Sequence, residues 1–213
     1  MPGTTLKLAP VGNKLEVRVK GPTVMRGYLN MPEKNAQVFD EEGFYCLGDA
    51  ARFEDPEHPE KGLIFDGRVT EDFKLDSGTW VSVGTLRPDI VAACAPLVYD
   101  GVICGQDKKF IGALLWPSPA AMKAATEAAG GDVAKAFGAL TMQVAEKLKA
   151  FNAVAGGSSR RVGRFRMLTT PPSLDAGEIT DKGYVNQRAT QDSRAAEVAS
   201  LFTAEAGPGV VQL

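Results

Sequence analysis

The chain has 213 residues, 44% of them hydrophobic and 23% charged, with a formal net charge of −2. That length supports one or two domains with a sizeable core, and that balance excludes a disordered chain. The small net charge excludes bulk nucleic-acid binding, which needs a basic surface. Cys46, Cys94 and Cys104 are widely spaced without a CxxC pair, and His58 is the single histidine. No zinc-ligand set arises from them, and a reduced, cytoplasmic protein is expected. MPGTTLKLAP lacks the apolar run of a signal peptide, and no stretch reaches the length of a membrane span, so no membrane partner is expected.

Thr4 to Ala9 and Lys14 to Lys20 alternate apolar and polar residues on either side of Gly12-Asn13, which predicts a β-hairpin. Leu15, Val17 and Val19 share one face, and Lys14, Glu16, Arg18 and Lys20 the other, so the apolar face must pack on something. Gly21-Pro22 closes the second strand, and Pro32 opens a short helix, PEKNAQVF. GFYCLGDAA reads as a strand ending at Gly48-Asp49, where the aspartate suits either a turn or a grip on sugar hydroxyls. Asp55 to Lys61 is a loop that holds a solvated His58.

The segment FDGRVTEDFKLDSGTW reads as a joint between two bodies. A strand, GLIF, precedes it, Asp66-Gly67 is a turn signal, and Arg68 offers a planar fork of donors. Phe73 and Leu75 alternate with Lys74 and Asp76, and Asp76-Ser77-Gly78 turns the chain again. Beyond it the pattern predicts a helix over Val83–Cys94, with Pro88 in its first turn. Strands follow over Leu97–Cys104 and Phe110–Trp116, then helices over Pro119–Ala129 and Asp132–Asn152, split by Gly130-Gly131. A strand over Arg164–Leu168 and a last helix over Val185–Ala204 complete the order. The fold class is therefore α+β, with a β-rich first body over residues 1–67 and a small α/β body over 68–213. The first body is short for its hairpin faces, which points to the end of a larger domain.

Between the last strand and last helix, LDAGEITDKGYVNQR is Gly-containing and loop-like. Lys182 sits there on a mobile linker, where a compact cation suits a phosphate or carboxylate, although most lysines are simply solvated. Arg160, Arg161, Arg164 and Arg166 form a second basic cluster, read as a solvated strand face rather than a phosphate patch.

Four blocks in order, GPTVMRGYLNMPE, FYCLGD, FDGRVTEDFKLDSG and GEITDKGYVNQR, resemble the C-terminal third of an adenylate-forming (ANL superfamily) acyl-CoA synthetase. Within that superfamily the chain is most similar to feruloyl-CoA synthetases. The resemblance implies a ligase that uses ATP with Mg2+ and CoA to activate a carboxylic acid, its missing partner being the N-terminal part of the adenylation domain. It implies that Asp49 and Arg68 hold the ribose hydroxyls, and that Thr70 is the hinge. It implies that Lys182 reaches the α-phosphate and carboxylate during adenylation. Lys74, Ser77 and Gly78 would form the loop that accompanies thioester formation with CoA. Cys46-Leu47 stands where many members have Arg-Thr, and Thr85 where many have Glu. The phosphate loop, the metal-holding glutamate and the acyl pocket have no counterpart in this sequence. A non-catalytic binding module and a truncated remnant are therefore the competing expectations, and the isolated chain is expected to be inactive.

Overall fold

The computed structural model describes residues 3–213. The chain divides into two compact units, one ending at Asp72 and one running from Phe73 to Leu213.

The first unit is a four-stranded antiparallel sheet in sequence order: β1 (Thr5–Val11), β2 (Lys14–Lys20), β3 (Tyr45–Phe53) and β4 (Leu63–Arg68). The expected hairpin is present, with Gly12 at φ 60° in its turn and Leu8 opposite Val17. Helix α1 (Pro32–Val38) joins β2 to β3 and starts on its proline, whose fixed φ suits a first turn. Two sequence readings are corrected. The third strand does not end at Gly48-Asp49. It continues to Phe53, and its ladder with β4 slips between Asp49 and Ala51. Asp66-Gly67 lies inside β4 rather than in a turn, with Gly67 at φ 78°.

Alternation along β2 is real, but the charged side is the better buried one. Lys14 and Glu16 are buried, whereas Leu15 is 38% exposed. The charges are matched within the unit. Glu16 accepts from Arg18 Nε at 2.8 Å and from the Gly48 amide at 3.1 Å. Arg18 also reaches Asp40 at 3.1 Å, and Lys7 lies 2.9 Å from the same carboxylate. Hydrogen bonds from Lys7, the Phe44 amide and Arg18 hold the Asp40 carboxyl well below its ordinary range. By ladder register, Leu6, Leu15, Leu63 and Phe65 belong to the opposite face, and each of them is exposed. Val17 on that face is buried.

The second unit begins with a two-stranded hairpin, β5 (Phe73–Lys74) and β6 (Trp80–Val81). Helix α2 (Val83–Cys94) follows with the expected bounds. Pro88 sits in its interior rather than in the first turn. Strands β7 (Val98–Cys104) and β8 (Ile111–Pro117) pair antiparallel. Helices α3 (Pro119–Ala128) and α4 (Val133–Val154) carry the chain across to β9 (Val162–Met167), which lies parallel to β8. Gly130 and Gly131 both adopt positive φ, and the Gly131 amide closes α3 on the Thr126 carbonyl at 2.9 Å. Asp132 then caps α4 by accepting from the Lys135 amide at 2.9 Å.

The expected last helix is two helices, α5 (Gln187–Ser193) and α6 (Ala195–Leu201), interrupted at Arg194 with ψ 36°. A final strand, β10 (Val210–Gln212), adds to β9 and gives the sheet order β10-β9-β8-β7.

Helices cover both faces of this sheet, which is why β7 and β8 are apolar runs rather than alternating strands. One core holds Ile103, Leu115 and Phe165 against Leu86 and Ile90 of α2 and Val144 and Leu148 of α4. The other holds Val102, Leu114 and Trp116 with Leu201 of α6. Burial pushes the Cys94 thiol up to about 11 and the Cys104 thiol up to about 12, so both are inert packing groups. Arg164 is not on a solvated face. It is buried, and its guanidinium donates to the Leu201 and Thr203 carbonyls at 3.1 and 2.6 Å, closing the end of α6.

Two glycines test this packing with opposite signs. A Cβ on Gly101 would lie 2.5 Å from Leu115 Cδ2 and 2.7 Å from the Leu114 carbonyl oxygen. Gly101→Ala should therefore cost about 1–3 kcal/mol in urea denaturation. A Cβ on Gly138, inside α4, meets nothing within 4 Å, and Gly138→Ala should add about 0.5–1 kcal/mol. Equal responses at the two sites would contradict the packing described.

Candidate functional site

Asp49 and Arg68 stand directly opposite each other across β3 and β4, where the ladder slips. Arg68 Nε lies 3.3 Å from Asp49 Oδ1, with side chains 54% and 42% exposed. The slip is shaped by Gly48, at φ 73°, whose amide is held by Glu16 and whose carbonyl accepts from the Val69 amide at 3.0 Å. An exposed ion pair contributes little to stability, so these two groups are free to exchange their mutual contact for a ligand's. A carboxylate that accepts and a guanidinium that donates together match vicinal hydroxyls.

Thr70 follows β4 in an exposed turn in which the Glu71 amide donates to the Arg68 carbonyl at 3.3 Å. Lys14 brackets that turn from β2. Its ammonium donates to the Asp66 carbonyl and lies 3.0 Å from Asp72 Oδ2, with the Lys14 and Asp72 side chains 4% and 1% exposed. The first unit thus extends to Asp72, past the boundary expected at 67, because Arg68 and Asp72 are both tied into its sheet.

In the second unit, Phe73 and Leu75 are buried while Lys74, Asp76, Ser77 and Gly78 are exposed, which is the alternation expected of this segment. The Lys74 ammonium lies 4.9 Å from the Trp80 ring centroid. Ser77 Oγ and Thr79 Oγ1 are 3.0 Å apart, and Gly78, at φ 80°, donates to the Leu75 carbonyl at 2.9 Å. The hairpin is docked rather than loose. Asp107 N donates to the Lys74 carbonyl at 2.9 Å, and Asp76 N to the Lys108 carbonyl at 3.0 Å.

Lys182 is exposed at the tip of a turn. Thr180 N donates to the Tyr184 carbonyl at 2.8 Å, Gly183 N to the Thr180 carbonyl at 2.9 Å, and Ile179 bridges Val185. A small antiparallel hairpin therefore replaces the mobile linker that the sequence suggested. Sequence reasoning also missed the groups that hold these elements: Lys14 and Asp72 under the Thr70 turn, and Glu178 and Arg194 under the Lys182 turn. No local pattern marks them, because each partner lies many residues away in the chain.

Among the described residues no group of three or more His, Cys, Asp or Glu side chains could hold a metal ion, and no helix is long and apolar enough to cross a membrane. The side chains of the described residues therefore do not fit a Mg2+ ion.

A mixed α/β chain of two sheet units, the second covered by helices on both faces, matches in fold the C-terminal part of adenylation domains. The chain belongs to the AMP-binding enzyme C-terminal domain family, which matches residues 84–206, and so to the ANL superfamily. It is 26% identical over 212 residues to the Arabidopsis thaliana protein named "Probable acyl-activating enzyme 16, chloroplastic", covering 94% of this chain and 28% of that protein. It is also 26% identical over 212 residues to the long-chain-fatty-acid–CoA ligase FadD15 of Mycobacterium tuberculosis, covering 96% of this chain and 33% of the ligase. The fold matches the A domain of carboxylic acid reductase from Segniliparus rugosus, solved with AMP and a co-purified carboxylic acid. That match has a TM-score of 0.69 and 23% identity, over 94% of this chain and 32% of the solved one. The chain therefore spans about a third or less of the length of these relatives.

Proposed function

We propose that this chain is the C-terminal portion of an ATP-dependent acid–thiol ligase. The ligase adenylates a carboxylic acid, an aromatic one of the feruloyl kind, and transfers the acyl group to CoA. The observation that carries the reading is the Asp49–Arg68 pair at the ladder slip, in a chain of this family. In this reading the pair takes the two ribose hydroxyls of ATP. Lys182 is the point charge that meets the α-phosphate and the acid's carboxylate as charge grows between them. Lys74, Ser77 and Gly78 form the loop beside the thiol arm of CoA in the second half-reaction. Thr70 is the pivot between the two stages, a change of arrangement that clears the lysine from the thiol's path. The reduced thiols of Cys46, Cys94 and Cys104 suit a cytoplasmic protein. The upstream part of the adenylation domain is the macromolecular partner. The exposed face of Leu6, Leu15, Leu63 and Phe65 supports such a partner, because a sheet face of this kind is normally covered.

A binding module without catalysis is the competing reading, and joining this chain to an adenylation core with a phosphate loop separates the two. The fusion should release pyrophosphate and form CoA esters over a panel of aromatic and aliphatic acids. A fusion that folds but activates no acid contradicts the ligase reading. In this reading the chain alone offers ribose contacts and, among the described residues, no phosphate cradle, so calorimetry should detect no saturable ATP binding below about 1 mM. Micromolar affinity would show that the nucleotide site lies elsewhere in the chain.

A further inference from the structure

The turn that presents Lys182 is fastened at both feet. At the entering foot, the Glu178 carboxylate is buried and fully engaged. Oε1 accepts from Arg194 Nε at 2.7 Å and from Ser193 Oγ at 2.5 Å. Oε2 accepts from Arg194 Nη2 at 2.8 Å and from the Ser173 amide at 2.7 Å. Arg194 reaches onward to the Pro171 carbonyl at 2.9 Å, and its guanidinium lies 5.4 Å from the Trp116 ring centroid. At the leaving foot, the Val185 carbonyl accepts from Arg87 Nη1 at 3.2 Å. Gln187 brackets Ile103, accepting from its amide at 3.1 Å and donating to its carbonyl at 2.5 Å. The feet are joined to each other by the Asn186 amide on the Glu178 carbonyl at 2.8 Å. Lys182 itself makes no ion pair among the described residues, so its place is set by the backbone of the turn, and the turn's place by its feet.

Burying a carboxylate and a guanidinium costs more desolvation than an apolar contact of the same size would. What the charged pair supplies in return is a fixed two-bond geometry that apolar contacts lack. The Glu178 carboxyl is held down to about 2, mainly by Arg194, so the pair stays charged at any physiological pH. We infer that Glu178 and Arg194 are positioning residues for Lys182: their bidentate bond holds the foot of the turn so that the lysine is delivered to one place during adenylation. This inference rests on the reading of Lys182 as the adenylation lysine.

The test replaces both charges at once, Glu178→Met with Arg194→Met, since removal of a matched buried pair is often neutral for stability whereas removal of one partner is not. In the 213-residue chain, the double variant should keep its thermal midpoint. The Thr180 and Gly183 amides should exchange with deuterium about tenfold faster. In the ligase that carries the chain, kcat for acyl-adenylate formation should fall about ten- to a hundredfold. KM for the acid, and thioester formation from a supplied acyl-adenylate, should be unchanged. Unchanged exchange and unchanged adenylation overturn the inference. Should the double variant not fold, Arg194→Lys keeps the charge but loses the fork, and is expected to show the same pattern at about threefold. An Arg194→Lys protein that matches the parent in both measurements overturns the inference as well. Lys182→Ala in the same assays separates the two layers. Normal adenylation there overturns the lysine's role and the inference with it, whereas a crippled Lys182→Ala beside an unaffected double variant overturns the inference alone.

Discussion

Lys182→Ala, in a ligase that carries this chain, should slow acyl-adenylate formation by about a hundred- to a thousandfold, equivalent to about 3–4 kcal/mol of transition-state stabilisation. The size of the effect follows from charge. In adenylation a carboxylate oxygen attacks the α-phosphorus and pyrophosphate departs, so negative charge builds on oxygens that a preorganised ammonium can meet. The lysine is exposed on an anchored turn, so the alanine variant should fold normally and bind the acid with little change in KM. Conversion of a supplied acyl-adenylate to the CoA ester should proceed at the parental rate, because in the proposed reading that step follows a change of arrangement at Thr70. Pyrophosphate release and CoA-ester formation, followed separately, check both halves. Equal slowing of the two would mark Lys182 as a structural residue.

Lys14→Met should destabilise the first unit by about 3–5 kcal/mol, because it removes the cation opposite a buried carboxylate. The Asp72 side chain is 1% exposed, and that of Lys14, whose ammonium lies 3.0 Å away, is 4% exposed. Lys61 offers the contrast. It pairs with Asp55 at 2.6 Å but is 52% exposed, and Lys61→Met should cost less than about 1 kcal/mol. Adding Asp72→Leu to Lys14→Met should recover most of the loss. Both tryptophans, Trp80 and Trp116, lie in the second unit. Their fluorescence therefore reports on the second unit, and amide exchange in β2 and β3, which should accelerate, reports on the first. A loss below about 1 kcal/mol would show that the buried pair behaves like a surface one.

Much of the fold was legible in the sequence because it rests on local signals. Gly12-Asn13 between two alternating runs predicts the first hairpin, and the 3.6-residue spacing of Val83–Cys94 predicts α2 with the right ends. Phe73 and Leu75 are buried as their period-two spacing requires. The final strand, Val210–Gln212, is not legible because three residues carry no period. The last helix reads as continuous in the sequence because nothing local breaks it. It is interrupted at Arg194, the residue whose side chain is drawn onto Glu178.

By itself, then, the sequence determined most of the order of elements and the superfamily, since the four blocks carrying the resemblance are contiguous strings. Only the tertiary structure decided which charges are inside. Alternation shows that β2 has two faces but cannot say which one is covered. Lys14 and Glu16 are buried because Asp72 and the Gly48 amide, distant in sequence, come to meet them. Arg164 reads as a solvated basic residue until the end of α6 arrives over it with free carbonyls. Lys182 reads as a lysine on a slack linker until Glu178, Arg194 and Arg87 are seen to hold the feet of its turn. The physical reason is the same in each case. A charged side chain enters a low-dielectric interior only where an opposite charge or a full set of hydrogen bonds awaits it, and those partners are supplied by the fold rather than by neighbours along the chain.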